Sequence, residues 1–380
     1  MSKLEDILRA RKEKARDLLS KTSTNAWLVI SQGNDPNLEY LLGTHPHNTT
    51  IALLTKSKLQ VMVSQLEESL IPEKIDEIIT YYGRKEFLEK IHTVLNTLKG
   101  KSVLLDTSPP FLGTHASTIL SSHEKMVKSI GKLYGINFKP AHSFVRQLRR
   151  VKSEKEHEAL RSAVKKTLMI LNHALKKLEA ETTEKALSAE IYKGIYTYGT
   201  PAFDPIVAFG DSTSNPHYIP QEKALEGNSI LYVDMGVKYN SICADITRTY
   251  FTLEPTESQN AAYKTLLQAQ KEAIDTIQPG VSLRDPDIKA RKVIKSRGFD
   301  PKRFSHSLGH ALGVETHDVG SSLYKKTNEK ETFQVGEVYT IEPALYFEDW
   351  GIRLEDNIVV KETGAERLAK STEEPLVLKM

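Results

Sequence analysis

Four acidic residues, Asp234, Asp245, Glu342 and Glu355, sit inside or beside apolar runs, where an unbalanced charge is costly. The first two flank a turn. Ile230-Leu231-Tyr232-Val233-Asp234 and Asp245-Ile246-Thr247-Arg248-Thr249 lie on either side of Lys238-Tyr239-Asn240-Ser241. A hairpin centred on Tyr239-Asn240 sets Asp234 directly opposite Asp245 on one face of a sheet. The other two repeat the pattern. Ile341-Glu342-Pro343-Ala344 and Leu354-Glu355-Asp356 flank Phe347-Glu348-Asp349-Trp350-Gly351, and a turn centred on Glu348-Asp349 sets Glu342 opposite Glu355. Facing carboxylates repel. A cation bound between them reverses the sign of that energy. One such pair is ordinary on a solvated face, whereas two in one stretch of chain point to metal.

His306, His310 and His317 lie in the run Ser305 to Asp318, between the two hairpins. His306 and His310 have the spacing of a helical zinc pair. Gly309 and Gly313 each cost a helix about 1 kcal/mol relative to alanine, so an extended or looped segment is expected. Four carboxylates with an imidazole make a hard-to-borderline donor set, suited to Mn, Co, Zn or Fe(II). Arg353 precedes Glu355 by two residues and emerges on the same strand face; the ordinary alternative is an ion pair with Asp349 or Glu348. Thr247 shares a face with Asp245 and is placed to hydrogen-bond it. Cys243 is on that face too, and is expected to be a small buried core residue rather than a thiolate ligand.

These side chains need elements to position them. Residues 26–30, 51–54, 59–63 and 102–105 read as short strands, the middle two joined across Lys56-Ser57, with helical stretches near 85–98 and 111–123. The pattern suggests an α/β domain ending near residue 150. The basic segment Arg146 to Lys152 reads as a solvated linker rather than a nucleic-acid contact. Ser153 and Glu156 then form a capping box before a helix marked by Leu160, Val164, Leu168, Leu171, Leu175 and Leu178. A helix around 183–198, the apolar runs 229–236 and 242–251, a second capping box at Thr256 and Gln259, a helix opened by Asp285-Pro286, and strands at 338–341 and 352–355 follow. Helices and hairpins in this order suggest an α+β domain with antiparallel strands.

The chain has 380 residues, 39% hydrophobic and 27% charged, enough for two domains of ordinary globular composition. A net charge of +3 from 52 basic and 49 acidic residues gives no case for nucleic acid or an anionic membrane as partner. A single cysteine excludes an intrachain disulfide and suits a reducing compartment. The N-terminal residues read as a charged amphipathic helix, neither signal nor transit peptide. A cytoplasmic protein is expected.

The ordered motifs VDMG, ADITRTY, SLGHALG, TIEPALY and GIRLEDN, with Phe203-Asp204-Pro205-Ile206-Val207 and Asn215-Pro216-His217-Tyr218 upstream, resemble those of the pita-bread metallopeptidases, which include methionine aminopeptidase, aminopeptidase P and prolidase. The likeness spans nearly the whole chain. It implies a smaller creatinase/prolidase-type α/β domain over 1–150 and a catalytic α+β pita-bread domain over 151–380. It also implies two divalent ions per subunit, Mn or Co first, with Zn or Fe as alternatives. By position, Asp234 resembles the ligand of the first ion, Asp245 and Glu355 the bridging carboxylates, and His310 and Glu342 the ligands of the second. Glu342 resembles the proton shuttle. His217, His306 and His317 match substrate-contacting or catalytic positions, and Arg353 a position that holds Glu355 or the substrate.

The resemblance implies hydrolysis of the bond preceding proline in a peptide substrate, by a homodimer. The compact N-terminal domain favours the dipeptidase, prolidase, over aminopeptidase P. Non-catalytic pita-bread modules lack the metal ligands, whereas all five positions are filled here.

Overall fold

The computed structural model describes residues 3–107, 119–225 and 230–378. The chain divides into two compact units, Met1–Arg150 and Val151–Met380. The first is built on a six-stranded mixed sheet in the order Glu77–Tyr81, Leu59–Ser64, Thr50–Thr55, Ala26–Ser31, Ser102–Leu105, Asn137–Pro140. The expected hairpin across Lys56-Ser57 is present, with Leu54 opposite Leu59. Helix Gly83–Asn96 buries Phe87, Ile91, Val94 and Leu95 against this sheet. Of the helix expected near 111–123, residues 111–118 lie outside the described residues, and 121–123 open the helix Ser121–Leu133.

The basic segment is not a solvated linker. Residues 146–150 complete the helix His142–Arg150, which buries Phe144, Val145 and Leu148. That apolar face carries Arg149 inward to 2% exposure, where its Nη1 donates to Asn37 Oδ1 at 2.8 Å. Lys152 is buried as well, with its Nζ 3.4 Å from Asp318 Oδ2. Composition alone had no means of showing that these cations had partners far along the chain.

The second unit has two helix-on-sheet halves. Helices Glu154–Leu175 and Glu184–Tyr198 cover a sheet ordered Leu376–Val377, Ile246–Phe251, Ile230–Met235, Ile206–Phe209. Helices Glu257–Asp275 and Asp285–Ser296 pack on the strands Val338–Ile341, Ala344–Tyr346, Gly351–Arg353 and Asp356–Val360. Both capping boxes are present, at Ser153/Glu156 and at Thr256/Gln259. Ladders are antiparallel except for the last strand, which runs parallel to Ile246–Phe251. The unit is α+β, as expected from the order of its elements. Among the described residues, no helix is long and apolar enough to cross a membrane.

The two hairpins part company on register. In the second, Ala344 faces Arg353 and Ile341 faces Asp356, the alignment set by a turn centred on Glu348-Asp349. In the first, Asp234 faces Thr247, not Asp245. Asn240 and Ser241 both have positive φ, 50° and 62°, so the tight turn is centred one residue later than expected. Moving a turn centre by one residue moves every cross-strand partner by two, and side chains keep their faces. Asp234 and Asp245 therefore remain on one side, now diagonal to each other.

Candidate metal centre

Both hairpins interrupt their pairing at acidic residues, while Asp234 stays paired within its strand. The strand ladder lapses at Ala244-Asp245, at Glu342-Pro343 and at Leu354-Glu355. The freed backbone groups join the hairpins to each other and to the histidine segment. Asn357 holds both polar edges of Asp245, accepting from its N–H at 3.1 Å and donating to its carbonyl at 2.6 Å. The N–H groups of Glu355 and Glu342 donate to Thr247 O at 3.2 Å and Leu308 O at 2.8 Å. Glycines permit the close approach. A Cβ on Gly236 would lie 1.8 Å from Ala244 O, and one on Gly309 would lie 1.9 Å from Thr340 O.

The histidine segment is extended and looped, as its glycines required. His310 is held by its backbone between Thr340 N, 3.0 Å from His310 O, and Thr340 Oγ1, 3.1 Å from His310 N. Its Nε2 lies 3.5 Å from Asp245 Oδ2 and 3.8 Å from Glu342 Oε1. Asp245, His310 and Glu355 each offer a donor atom within 4.8 Å of the others. Burial pushes the Asp245 carboxyl well above the usual range, and the Asp234 and Glu342 charges push the same way. Glu342 and Glu355 are raised for the same reasons, burial first, then Glu355 acting on Glu342 and Asp245 on Glu355.

The donor set fits a cation. Asp234 Oδ1 and Asp245 Oδ1 are buried with no hydrogen-bond partner among the described residues. Buried carboxylate oxygens left this way are rare without a ligand to take up their lone pairs.

Arg353 is the nearest counter-charge. It is 3% exposed, and its Nη2 donates to Asp234 Oδ2 at 2.5 Å. Its Nε donates to Thr247 Oγ1 at 3.1 Å, and Thr247 in turn donates to Glu355 Oε2 at 2.7 Å. Arg353 thus reaches Glu355 through Thr247, and it does not pair with Asp349 or Glu348. Thr247 bonds Glu355 rather than the expected Asp245, because Glu355 N donates to the Thr247 carbonyl and brings the two side chains together. Arg353 Nη1 also donates to Tyr346 Oη at 2.7 Å and to Pro216 O at 3.2 Å, next to the exposed His217.

His306 is fixed as one tautomer. Its Nδ1 lies 2.8 Å from Ser307 O, which can only accept, so Nδ1 carries the proton. Nε2 then accepts from Tyr346 Oη at 3.1 Å. Burial, helped by Arg353, pushes its pKa down to about 3. His317 stacks beside His310, ring centroids 3.9 Å apart. Cys243 is a buried core residue, its Sγ 3.4 Å from Val314 O.

With this geometry in place, comparison with known proteins places the chain. Residues 158–362 match metallopeptidase family M24. The chain belongs to that family. It is 28% identical to an Xaa-Pro dipeptidase of Pyrococcus horikoshii over 97% of this chain and 99% of the relative. It is 30% identical to an uncharacterized peptidase of Staphylococcus saprophyticus over 93% of this chain and 96% of that one. Among solved structures, the X-Pro aminopeptidase of Thermotoga maritima superposes with a TM-score of 0.84 at 25% identity, covering 96% of this chain and 99% of the other. The prolidase of Pyrococcus horikoshii gives 0.80 at 26%, over 96% and 99%. The fold is the pita-bread α+β fold and the chain is a metal-dependent peptidase, as the motifs implied.

Two residues that hold this cluster were not among the expected site residues. Tyr346, which links His306 to Arg353, reads by type as a core aromatic. Its signal was the hairpin parity: 342, 344 and 346 share the face of 351, 353 and 355. Asn357, which clamps the Asp245 backbone, was visible only as the last letter of GIRLEDN.

Proposed function

We propose that this chain hydrolyses the peptide bond preceding proline, with Xaa-Pro dipeptides as preferred substrates. The observation that carries the reading is the match to an Xaa-Pro dipeptidase along essentially the full length of both chains. Asp234 is assigned to a first divalent ion, Asp245 and Glu355 to both ions, and His310 and Glu342 to a second. Four carboxylates against the single buried cation Arg353 leave more negative charge than one divalent ion offsets, which supports two ions over one. Mn or Co is proposed, with Zn or Fe as alternatives. When bound, such ions polarise the scissile carbonyl and acidify the attacking water.

The side chains divide the remaining work. Glu342 takes the proton from water and passes it to the leaving nitrogen. His217, His306 and His317 contact substrate, with His306 entering as a neutral imidazole. Arg353 holds Asp234 directly and Glu355 through Thr247. The same reading carries a cytoplasmic homodimer, and light scattering of the purified chain tests the dimer.

A second reading, release of the first residue from longer Xaa-Pro peptides, is favoured by the TM-score of 0.84 with the X-Pro aminopeptidase of Thermotoga maritima. A substrate-length series of Xaa-Pro against Xaa-Pro-Yaa, with Mn, Co and Zn in turn, separates the two. Faster turnover of the dipeptide supports the first reading. Faster release from the tripeptide supports the second, and turnover of neither overturns both.

A further inference from the structure

Asp287 and Arg291 lie one turn apart on the helix Asp285–Ser296, on its buried face. Asp287 is fully buried and Arg291 is 8% exposed. Arg291 Nε donates to Asp287 Oδ2 at 2.9 Å. The rest of the guanidinium is spent on one short piece of backbone. Nη1 donates to Pro301 O at 3.1 Å and Phe304 O at 2.7 Å, and Nη2 donates to His306 O at 2.6 Å. The same guanidinium lies over the Phe304 ring, 4.3 Å from its centroid. That ring meets the His306 imidazole edge to face, 5.0 Å between centroids at 88°.

Asp287 acts on the other side of the histidine segment. Its Oδ2 also accepts from Lys325 N at 3.0 Å. Two residues earlier, Leu323 bonds Leu308 N at 2.9 Å and Gly309 O at 2.8 Å. One buried ion pair thereby grips the chain entering His306 and the strand lying beside the residues that follow it. A planar fork that satisfies three carbonyls in fixed directions is a task for arginine, because a lysine ammonium on a flexible stem does not reproduce it.

We propose that Arg291, braced by Asp287, is a positioning residue for the reaction: it sets the backbone and ring plane of His306, and so the direction in which the imidazole meets substrate. The inference rests on the reading of His306 as a substrate-contacting group. Arg291 touches neither the carboxylate cluster nor any expected substrate atom, so its effect passes through His306.

The test is a double-mutant cycle on Arg291→Lys and His306→Ala, with an Xaa-Pro dipeptide and saturating Mn. Arg291→Lys is expected to lower kcat about 10- to 100-fold with KM little changed, as a misplaced group does. The double variant is expected to be no slower than His306→Ala alone. Multiplying losses would overturn the proposal. Phe304→Leu removes the ring between the two residues and serves if Arg291→Lys does not fold; the same non-additivity is expected. Histidine 15N shifts of the zinc-loaded chain give a readout apart from activity. His306 is expected in the Nδ1–H form in wild type, and Arg291→Lys is expected to lose that signature. Retention of it would overturn the positioning role, whereas a lost signature with a fully active His306→Ala would overturn the reading of His306 and leave the Arg291 clamp standing.

Discussion

Arg353 Nη2 donates to Asp234 Oδ2 at 2.5 Å, while Oδ1 of the same carboxylate has no hydrogen-bond partner among the described residues. The two oxygens of one side chain are thus divided, one to an internal cation and one to the cluster. Arg353 also lowers the proton affinity of Asp245, Glu342 and Glu355. Arg353→Met is expected to cut kcat/KM about 10- to 100-fold while metal content is retained, since every carboxylate remains. The acid limb of the rate profile is expected to move to higher pH. Steady-state kinetics with metal analysis checks this, and activity within twofold of wild type would count against it.

Thr247 connects the first hairpin to the second by accepting from Arg353 and donating to Glu355. Thr247→Val keeps the shape and removes both bonds. It leaves a buried guanidinium N–H unpaired, at about 1–3 kcal/mol of stability. Metal affinity or activity is expected to fall about 10- to 100-fold through loss of the Glu355 restraint. Thermal unfolding and metal titration separate the two effects; an unchanged metal affinity would remove Thr247 from the centre.

The carboxyls of Asp245, Glu342 and Glu355 are raised in the fold. The metal-free native state therefore binds more protons than the unfolded chain. Its stability should decline as pH rises above the ordinary carboxylate range, near about 4, and through the raised values. A bound cation removes that penalty, adding about 2.7 kcal/mol at a hundredfold excess over Kd. The difference in Tm between metal-loaded and chelated protein is thus expected to widen from pH 5 to pH 8. A gap independent of pH would mean that these carboxyls do not hold the ion.

In the first unit, Asp106 accepts from Trp27 Nε1 at 2.9 Å and Asn37 Nδ2 at 2.8 Å. Burial, with the Asp35 charge adding to it, pushes its carboxyl up to about 7. Below that pH the group is protonated, and above it the indole faces a full charge. Trp27 fluorescence is expected to titrate near neutrality, with Asp106→Asn abolishing the transition and Trp350 contributing none of it.

Legibility from sequence followed the physics that each feature obeys. The second hairpin was readable because its two acidic turn residues, Glu348-Asp349, stand between Phe347 and Trp350 and mark its centre. The first was displaced because Asn240-Ser241, both at positive φ, lacks the glycine that usually announces such a turn. Face parity survived the slip, so the grouping of Asp234 with Asp245 did not depend on it. Thr247 had the correct face and the wrong partner, since face parity does not say which carboxylate on that face lies nearest. Arg149 and Lys152 were misread because a buried cation is betrayed only by its partners, here Asn37 and Asp318, which lie 112 and 166 positions away. Arg291 showed only its partner one helical turn away, Asp287, since its other three acceptors are backbone carbonyls.

The lapses in strand pairing at Asp245, Glu342 and Glu355 have a consequence for motion. The amides of Asp245 and Glu355 are bound across hairpins, to Asn357 and Thr247, and that of Glu342 to Leu308 of the histidine segment. Loosening any one of these residues then requires separating two packed segments distant in sequence, which belongs to global unfolding rather than local fraying. Amide hydrogens at these three positions should exchange with solvent as slowly as those of the central strands, though they lie outside any ladder. The centre would be among the last parts of the molecule to breathe.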